Sequence, residues 1–243
     1  MKQFIKSVII KIYALFKRDR SSKIIYYHDV YNAEKYADMG TPFELFQKHI
    51  STICDHGFEI VSKISKPDNQ VMICFDDGFR GIWDCKDFFI NNKIYPTIFI
   101  AVELIGKPGY LSIEEIKELQ KQGFIFQCHT WSHKPLSIFS KEELIREIVD
   151  SKATLEDMLN VKIDELCFPL GYFNDDVLNI AYAAGYKTLY SSLSGPYNKR
   201  FKPNVLCRYL VQCSTPSNVK YILMGGDDIF YKHDIGHHYC NKN

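Results

Sequence analysis

A chain of 243 residues, 46% of them apolar, is long enough for one large core and has the length that a single α/β barrel commonly needs. Its formal net charge of +1 supplies no global field to draw it to nucleic acid, and none of its eight cysteines forms a CxxC pair, which argues against a zinc ribbon or a thioredoxin-type motif. Cys74, Cys128, Cys167 and Cys207 lie inside apolar runs as small hydrophobes, and scattered buried thiols point to a reducing, cytoplasmic compartment.

The chain opens with an amphipathic segment. Phe4, Ile5, Val8, Ile9, Ile12, Leu15 and Phe16 fall on one side of a helical wheel, and Lys2, Lys6, Lys11, Lys17 and Arg18 on the other; Ile10 breaks the pattern. Lysines interrupt the run too often for a bilayer span, and it lacks a clear small-residue cleavage site. Two readings stand: an interfacial helix lying on an anionic membrane through residues 1–18, peripheral on the inner face, or a helix packed on the protein's own surface. Residues 1–22 are read as this helix and its linker, 23–225 as one catalytic domain, and 226–243 as a His-rich tail.

From Ile24 onward strand and helix patterns alternate. Ile24–Asp29 is a short β-rich run, and Pro42–His56 has helical spacing with Phe43, Phe46 and Ile50 on one face. Val71–Phe75 is an apolar strand, followed by a helix over Gly81–Asn91. Pro96–Val102 is a strand, and Ser112–Gln122 a helix with Ser112 as N-cap and Gly123 past its end. Phe124–Cys128 is a strand. Ser140–Leu159 is a long amphipathic helix whose opening Ser140-Lys141-Glu142-Glu143 fits a capping box. Leu166–Phe168, Tyr186–Ser191 and Leu206–Val211 complete the strands, and Asp175–Ala184 and Ser217–Met224 the helices. About seven βα units favour an α/β fold with a closed or nearly closed parallel barrel over an open doubly wound sheet. No GxGxxG or GxxxxGK[ST] sequence is present.

In such barrels the reactive groups sit at the carboxyl ends of the strands. His28 and Asp29 follow the first strand, Asp76 and Asp77 the second, His129 and His133 the fourth, and Pro169 to Asn174 the fifth; Arg208 lies within the last. A single Asp-Asp-Gly is usually a turn, and a His-x3-His pair is usually surface chemistry. Their joint occurrence at successive strand ends is what points to one cleft. One carboxylate and two imidazoles make a three-ligand metal site with an open position, leaving the second carboxylate free as a base. Trp131, Tyr172 and Tyr27 are aromatic candidates for lining that cleft, with core or rim packing equally open to each.

The order and form of these segments resemble the polysaccharide deacetylase family, the NodB-homology domain of carbohydrate esterase family 4. Phe75-Asp76-Asp77-Gly78 matches its first motif, His129-Thr130-Trp131-Ser132-His133 its second, and Phe168-Pro169-Leu170-Gly171-Tyr172-Phe173-Asn174 its third, with Leu170 where a tyrosine is common. The resemblance covers roughly Ile24 to Leu223. It implies a distorted (β/α)7-type barrel that removes an N-acyl group, most often acetyl, from an amino sugar in a polysaccharide or a lipid-linked glycan. It implies that Asp77, His129 and His133 hold a divalent metal, usually zinc, with cobalt or nickel as alternatives. It makes Asp76 the base and the backbone N–H of Leu170 an oxyanion donor. The arginine that usually precedes the third motif is missing, and Arg208 is the candidate to replace it beside Asp76. No Leu-x-His follows Arg208 to supply a general acid. Tyr26-Tyr27-His28-Asp29 resembles the opening of the motif-permuted poly-N-acetylglucosamine deacetylase subgroup, which makes His28 the candidate acid; His233, His237 and His238 are the alternatives. An inactive carbohydrate-binding or scaffold barrel, and an amidase for a non-sugar amide, are the competing functions.

Overall fold

The computed structural model describes residues 2–240, with side chains from Ile5 onward. Met1, residues 241–243 of the His-rich tail, and the Lys2 and Phe4 side chains of the helical wheel lie outside the described residues. The chain runs α1 (Lys2–Lys17), β1 (Lys23–Tyr27), β2 (Val30–Tyr31), β3 (Thr41–Pro42), α2 (Phe43–Asp55), β4 (Glu59–Val61), β5 (Gln70–Phe75), α3 (Gly81–Asp84), α4 (Lys86–Asn91) and β6 (Thr97–Ile100). It continues through α5 (Ile113–Lys121), β7 (Ile125–Cys128), α6 (Lys141–Leu144), α7 (Ser151–Leu159), β8 (Glu165–Cys167), α8 (Asp175–Ala183), β9 (Thr188–Tyr190), β10 (Val205–Leu206), β11 (Tyr209–Leu210), α9 (Pro216–Leu223) and α10 (Tyr231–His238).

Among the described residues, nine strands form one sheet, ordered β10-β9-β8-β7-β6-β5-β1-β11 with β4 beside β5. Every pairing in it is parallel. Strands β10 and β11 stand at opposite ends of this order, yet only Cys207 and Arg208 separate Leu206 from Tyr209. Three residue steps reach at most about 11 Å, so the sheet curls until its edges almost meet. The result is the α/β barrel of (β/α)7 type that the βα alternation implies.

Strand parity then sorts the side chains. Ile24, Tyr26, Met72, Cys74, Phe99, Cys167, Tyr190 and Leu206 form one cluster inside the barrel. Their sequence neighbours Ile25, Tyr27, Ile73, Phe75, Ile98, Ile100, Leu166 and Leu189 form the larger cluster under the helices. With both faces covered, β1 and β5 are buried throughout, which is why Ile24–Tyr27 and Val71–Phe75 within them read as unbroken apolar runs. The two-residue period carries past the strand ends: Tyr26 is followed by His28, Cys74 by Asp76 and Leu206 by Arg208, so these polar groups enter the barrel mouth in the interior register.

Several elements differ from the sequence expectation. The strand expected over Leu206–Val211 is two strands on opposite sheet edges. The Arg208 N–H donates to the Leu193 carbonyl at 3.0 Å, which takes residues 207–208 across the mouth instead of along a ladder. The helix expected over Gly81–Asn91 breaks at Cys85 into α3 and α4. The helix expected over Ser140–Leu159 opens with the capping box but widens to a π-helix over Ile145–Asp150. Residues 226–240, read from sequence only as a tail, form a 3-10 turn (Gly226–Phe230) and α10, with Asp227 and Asp228 buried.

One buried hydrogen-bond chain ties the outer layer to the barrel. Tyr27 O–H donates to His49 Nδ1 at 3.0 Å, and His49 Nε2 donates to the Ser214 carbonyl at 2.7 Å, so this imidazole is neutral in the native state. Burial holds its pKa below the ordinary histidine value, against a smaller opposing effect of the Ser214 bond. The unfolded chain takes up a proton at His49 below about pH 6.5 and the native chain only at a lower pH, so this stability is complete above about pH 6.5 and is lost on acidification. Urea unfolding at about pH 7.5 and about pH 5.5 should show His49→Gln losing less stability between the two than the wild type, by up to about 1.4 kcal/mol per pH unit. Equal acid sensitivity would contradict this.

Candidate active site

After β5 the backbone turns sharply. Asp77 and Gly78 both adopt positive φ, 74° and 78°. A Cβ on Gly78 would lie 2.6 Å from Ile100 Cδ1, so glycine is needed there for both conformation and space. The turn sends two adjacent carboxylates to different partners. Asp76 faces Arg208, whose Nη1 donates to Oδ1 at 2.8 Å and Nη2 to Oδ2 at 2.9 Å. Arg208 is 1% exposed and Asp76 3%. The guanidinium also donates from Nε to the Ser191 carbonyl at 3.0 Å and lies 4.1 Å above the Tyr26 ring. Burial raises the Asp76 pKa, but the Arg208 charge and its two hydrogen bonds outweigh it, so the carboxyl lies below its ordinary value.

Asp77 turns to the imidazoles instead. Its Oδ1 lies 3.2 Å from His129 Nε2 and 2.8 Å from His133 Nε2. His129 Nδ1 donates to the Cys167 carbonyl at 2.8 Å, which leaves a lone pair on Nε2 facing Asp77. The buried Asp77 Oδ1 makes no well-formed hydrogen bond. Two imidazole nitrogens and one carboxylate oxygen, all within 4.8 Å of one another, are a donor set that fits a divalent cation, and the N2O composition suits zinc. Asp76, His129 and Cys167 also converge within that distance. That second group does not fit a cation, because Arg208 takes both Asp76 oxygens and donates to Cys167 Sγ at 3.0 Å. Burial also keeps the Cys167 thiol pKa well above the ordinary value, so it stays protonated.

These groups open onto a cleft of about 330 Å³ that Tyr26, His28, His129, His133, Leu170 and Arg208 help to line. His28 Nδ1 is hydrogen-bonded to Gln212 Oε1 at 2.6 Å; the amide oxygen accepts only, so the proton sits on Nδ1 and Nε2 is left free. Leu170 sits at φ 54°, ψ 8° in a 3-10 turn over Pro169–Gly171, with its side chain half exposed at the rim. His237 and His238 of α10 also reach the cleft, whereas His233 is exposed outside it. Tyr172 O–H is shared with His237 Nε2 at 3.3 Å. Tyr27 does not line the cleft: strand parity turns it outward, where it is buried against Phe46 and Phe75. Asp29 is buried beneath the loop between β2 and β3, where its Oδ2 accepts the Tyr36 N–H at 3.3 Å, and burial pushes its pKa up to about 6.

Two supporting residues were not singled out from sequence. Gln212 follows Arg208 and Leu210 at strand period, which was its signal. Glu147 is a charged residue between Leu144 and Ile148 on the buried face of its helix. It lies in the π-helical segment, 4% exposed, and its Oε2 accepts the backbone N–H groups of Trp131 at 3.2 Å and Ser132 at 3.0 Å. Those two amides belong to the loop between the imidazoles, in which Thr130 and His133 both have positive φ, 67° and 59°. Glu147 therefore holds a strained loop in the conformation that aims His133 at Asp77.

The sequence profile described as Polysaccharide deacetylase matches residues 63–189, which include the Asp76-Asp77 turn, both imidazoles and the Leu170 turn. The chain belongs to the polysaccharide deacetylase family. It is 25% identical over 187 residues to YxkH of Bacillus subtilis (strain 168), covering 72% of this chain and 66% of that one. It is 28% identical over 170 residues to a peptidoglycan-N-acetylglucosamine deacetylase of Bacillus cereus, covering 67% of this chain and 76% of that one. In fold it resembles the Streptococcus pyogenes deacetylase PplD, solved in complex with acetate, with a TM-score of 0.75 and 22% identity over 84% of this chain and 98% of that one. IcaB from Ammonifex degensii gives 0.72 and 19% over 85% and 98%.

Glu147→Gln keeps the size of the side chain and removes its charge, and so weakens its hold on the two loop amides. Zinc affinity, measured by competition with a chromophoric chelator, should fall by about tenfold or more, the usual effect of losing support behind a ligand. An unchanged affinity would show that the loop holds itself.

Proposed function

We propose that this protein is a metal-dependent carbohydrate N-deacetylase, a hydrolase that cleaves the linear amide of an N-acylated amino sugar and releases a carboxylate, most simply acetate, and a free amine. The reading is supported above all by one observation: an ionised, arginine-held carboxylate stands next in sequence to a carboxylate that faces two imidazoles, and that first carboxylate and both imidazoles line a single cleft. Deacetylase activity is what family membership implies; the amino-sugar glycan substrate and the metal are inferred. A cytoplasmic location is part of the proposal and rests on the scattered buried thiols.

Asp77, His129 and His133 would hold the cation, with zinc as the proposed ion. When bound, such an ion polarises a carbonyl and acidifies water near neutral pH. Asp76 is ionised, and its place beside the triad suits it to accept the proton of the attacking water. Arg208 holds that carboxylate in one orientation and favours its charged form, the part otherwise played by the arginine before the third motif. The backbone N–H of Leu170 would donate to the oxygen that becomes negative as the carbonyl is attacked. His28 donates Nδ1–H to Gln212 and lines the cleft; with Nε2 also protonated, as the imidazolium, it would deliver that second proton to the departing amine. His237 has its Nε2 shared with Tyr172, which favours His28 over it as the acid.

The test is acetate release from N-acetylglucosamine oligomers. The wild type loaded with zinc should turn over, and chelation should abolish turnover reversibly. Asp76→Asn should lose about a hundredfold or more in kcat while retaining zinc. His28→Ala should lower kcat with KM little changed. An inactive scaffold predicts no turnover in any form, and an amidase for non-sugar amides predicts activity on small amides alone.

A further inference from the structure

The amphipathic helix is seated the opposite way round from a helix that packs its apolar stripe on its own domain. Among the described side chains of α1, Ile10 and Ala14 are buried, and Ser7 Oγ donates to Asn218 Oδ1 of α9 at 2.6 Å. Lys6 lies 3.6 Å from the buried Asp227, and Lys17 pairs with the buried Asp228. Gly226 makes the seat close: a Cβ there would lie 2.5 Å from the Ile10 carbonyl oxygen. The apolar stripe faces away from the body. Ile5, Val8, Ile12, Leu15 and Phe16 are 52%, 39%, 52%, 47% and 85% exposed. Two lysines that sequence alone offered to a membrane are thus used to hold the helix on the protein.

We propose that this outward face of α1 is a docking surface for an anionic lipid bilayer, on which the helix lies flat. Its sixteen residues span about 24 Å, and the stripe runs along most of that length. No described helix is long and apolar enough to cross a membrane, so contact is tangential. Positions 2–18 carry no acidic residue; Lys6 and Lys17 are taken by Asp227 and Asp228, and the exposed Lys11 and Arg18 that border the stripe are the cations left to face headgroups. That charge complements anionic headgroups and opposes a second copy, whose identical helix would have to lie face to face with this one.

The experiment is flotation of the full chain with phosphatidylcholine vesicles, with and without phosphatidylglycerol. The wild type should float with the anionic vesicles and much less with the neutral ones. The double variant Ile12→Asp, Phe16→Asp should lose about tenfold or more in partitioning, because two exposed apolar side chains are replaced by charges. Its thermal midpoint and its turnover of soluble N-acetylglucosamine oligomers should be unchanged. Flotation is read without any reference to catalysis, so failure of the deacetylase reading would leave this result standing. The proposal is overturned if the wild type does not float, if the double variant floats equally, or if the substitutions instead abolish a concentration-dependent dimer, which would assign the face to a second copy.

Discussion

The ion pair between Asp76 and Arg208 is the constraint on which the site depends. Both groups are buried, and either one alone would be an uncompensated charge inside the barrel, a change that costs about 3–5 kcal/mol. The guanidinium does more than neutralise. It joins Asp76 after β5, the Cys167 thiol on β8, the Ser191 carbonyl after β9 and the Tyr26 ring on β1. Strands far apart in sequence are thereby tied at the mouth where the chemistry would occur. The same residue explains the topology at the seam, since the chain crosses from β10 to β11 through Cys207 and Arg208.

Around this fixed pair the site is built from uncommon backbone. Asp77, Thr130, His133 and Leu170 all have positive φ, a conformation that costs non-glycine residues roughly 1–3 kcal/mol each. Each carries or adjoins a group with a proposed role. The surrounding structure holds them: Gly78 makes room for the Asp77 turn, Glu147 clamps the loop before His133, and Gly171 follows Leu170 in the same left-handed region at φ 76°. Strain of this kind persists only where packing overrides local preference, and here it aims Asp77, His129 and His133 at one another.

Much of this was legible in the sequence because it rests on period and spacing. Alternating βα patterns gave the barrel, and polar groups at successive strand ends placed His28, Asp76, Asp77, His129 and His133 together. What was not legible depends on the third dimension. The run from Leu206 to Val211 has the composition of one strand, and only the hydrogen bonds of Arg208 reveal the crossing. Tyr27 was a candidate for the cleft because it adjoins His28, yet strand parity assigns that place to Tyr26. The π-helix around Glu147 has no signal in helical periodicity beyond a charge on an apolar stripe. The direction in which α1 presents its apolar face is set by the buried Asp227 and Asp228, some two hundred residues away in sequence.

The most direct test of the account is the position of the bound ion. In crystals soaked in zinc, an anomalous difference map collected at the zinc edge should show one ion between Asp77 Oδ1, His129 Nε2 and His133 Nε2, with the Asp76–Arg208 pair intact. An ion seated on Asp76 and Cys167, or no ion at saturating zinc, would contradict it.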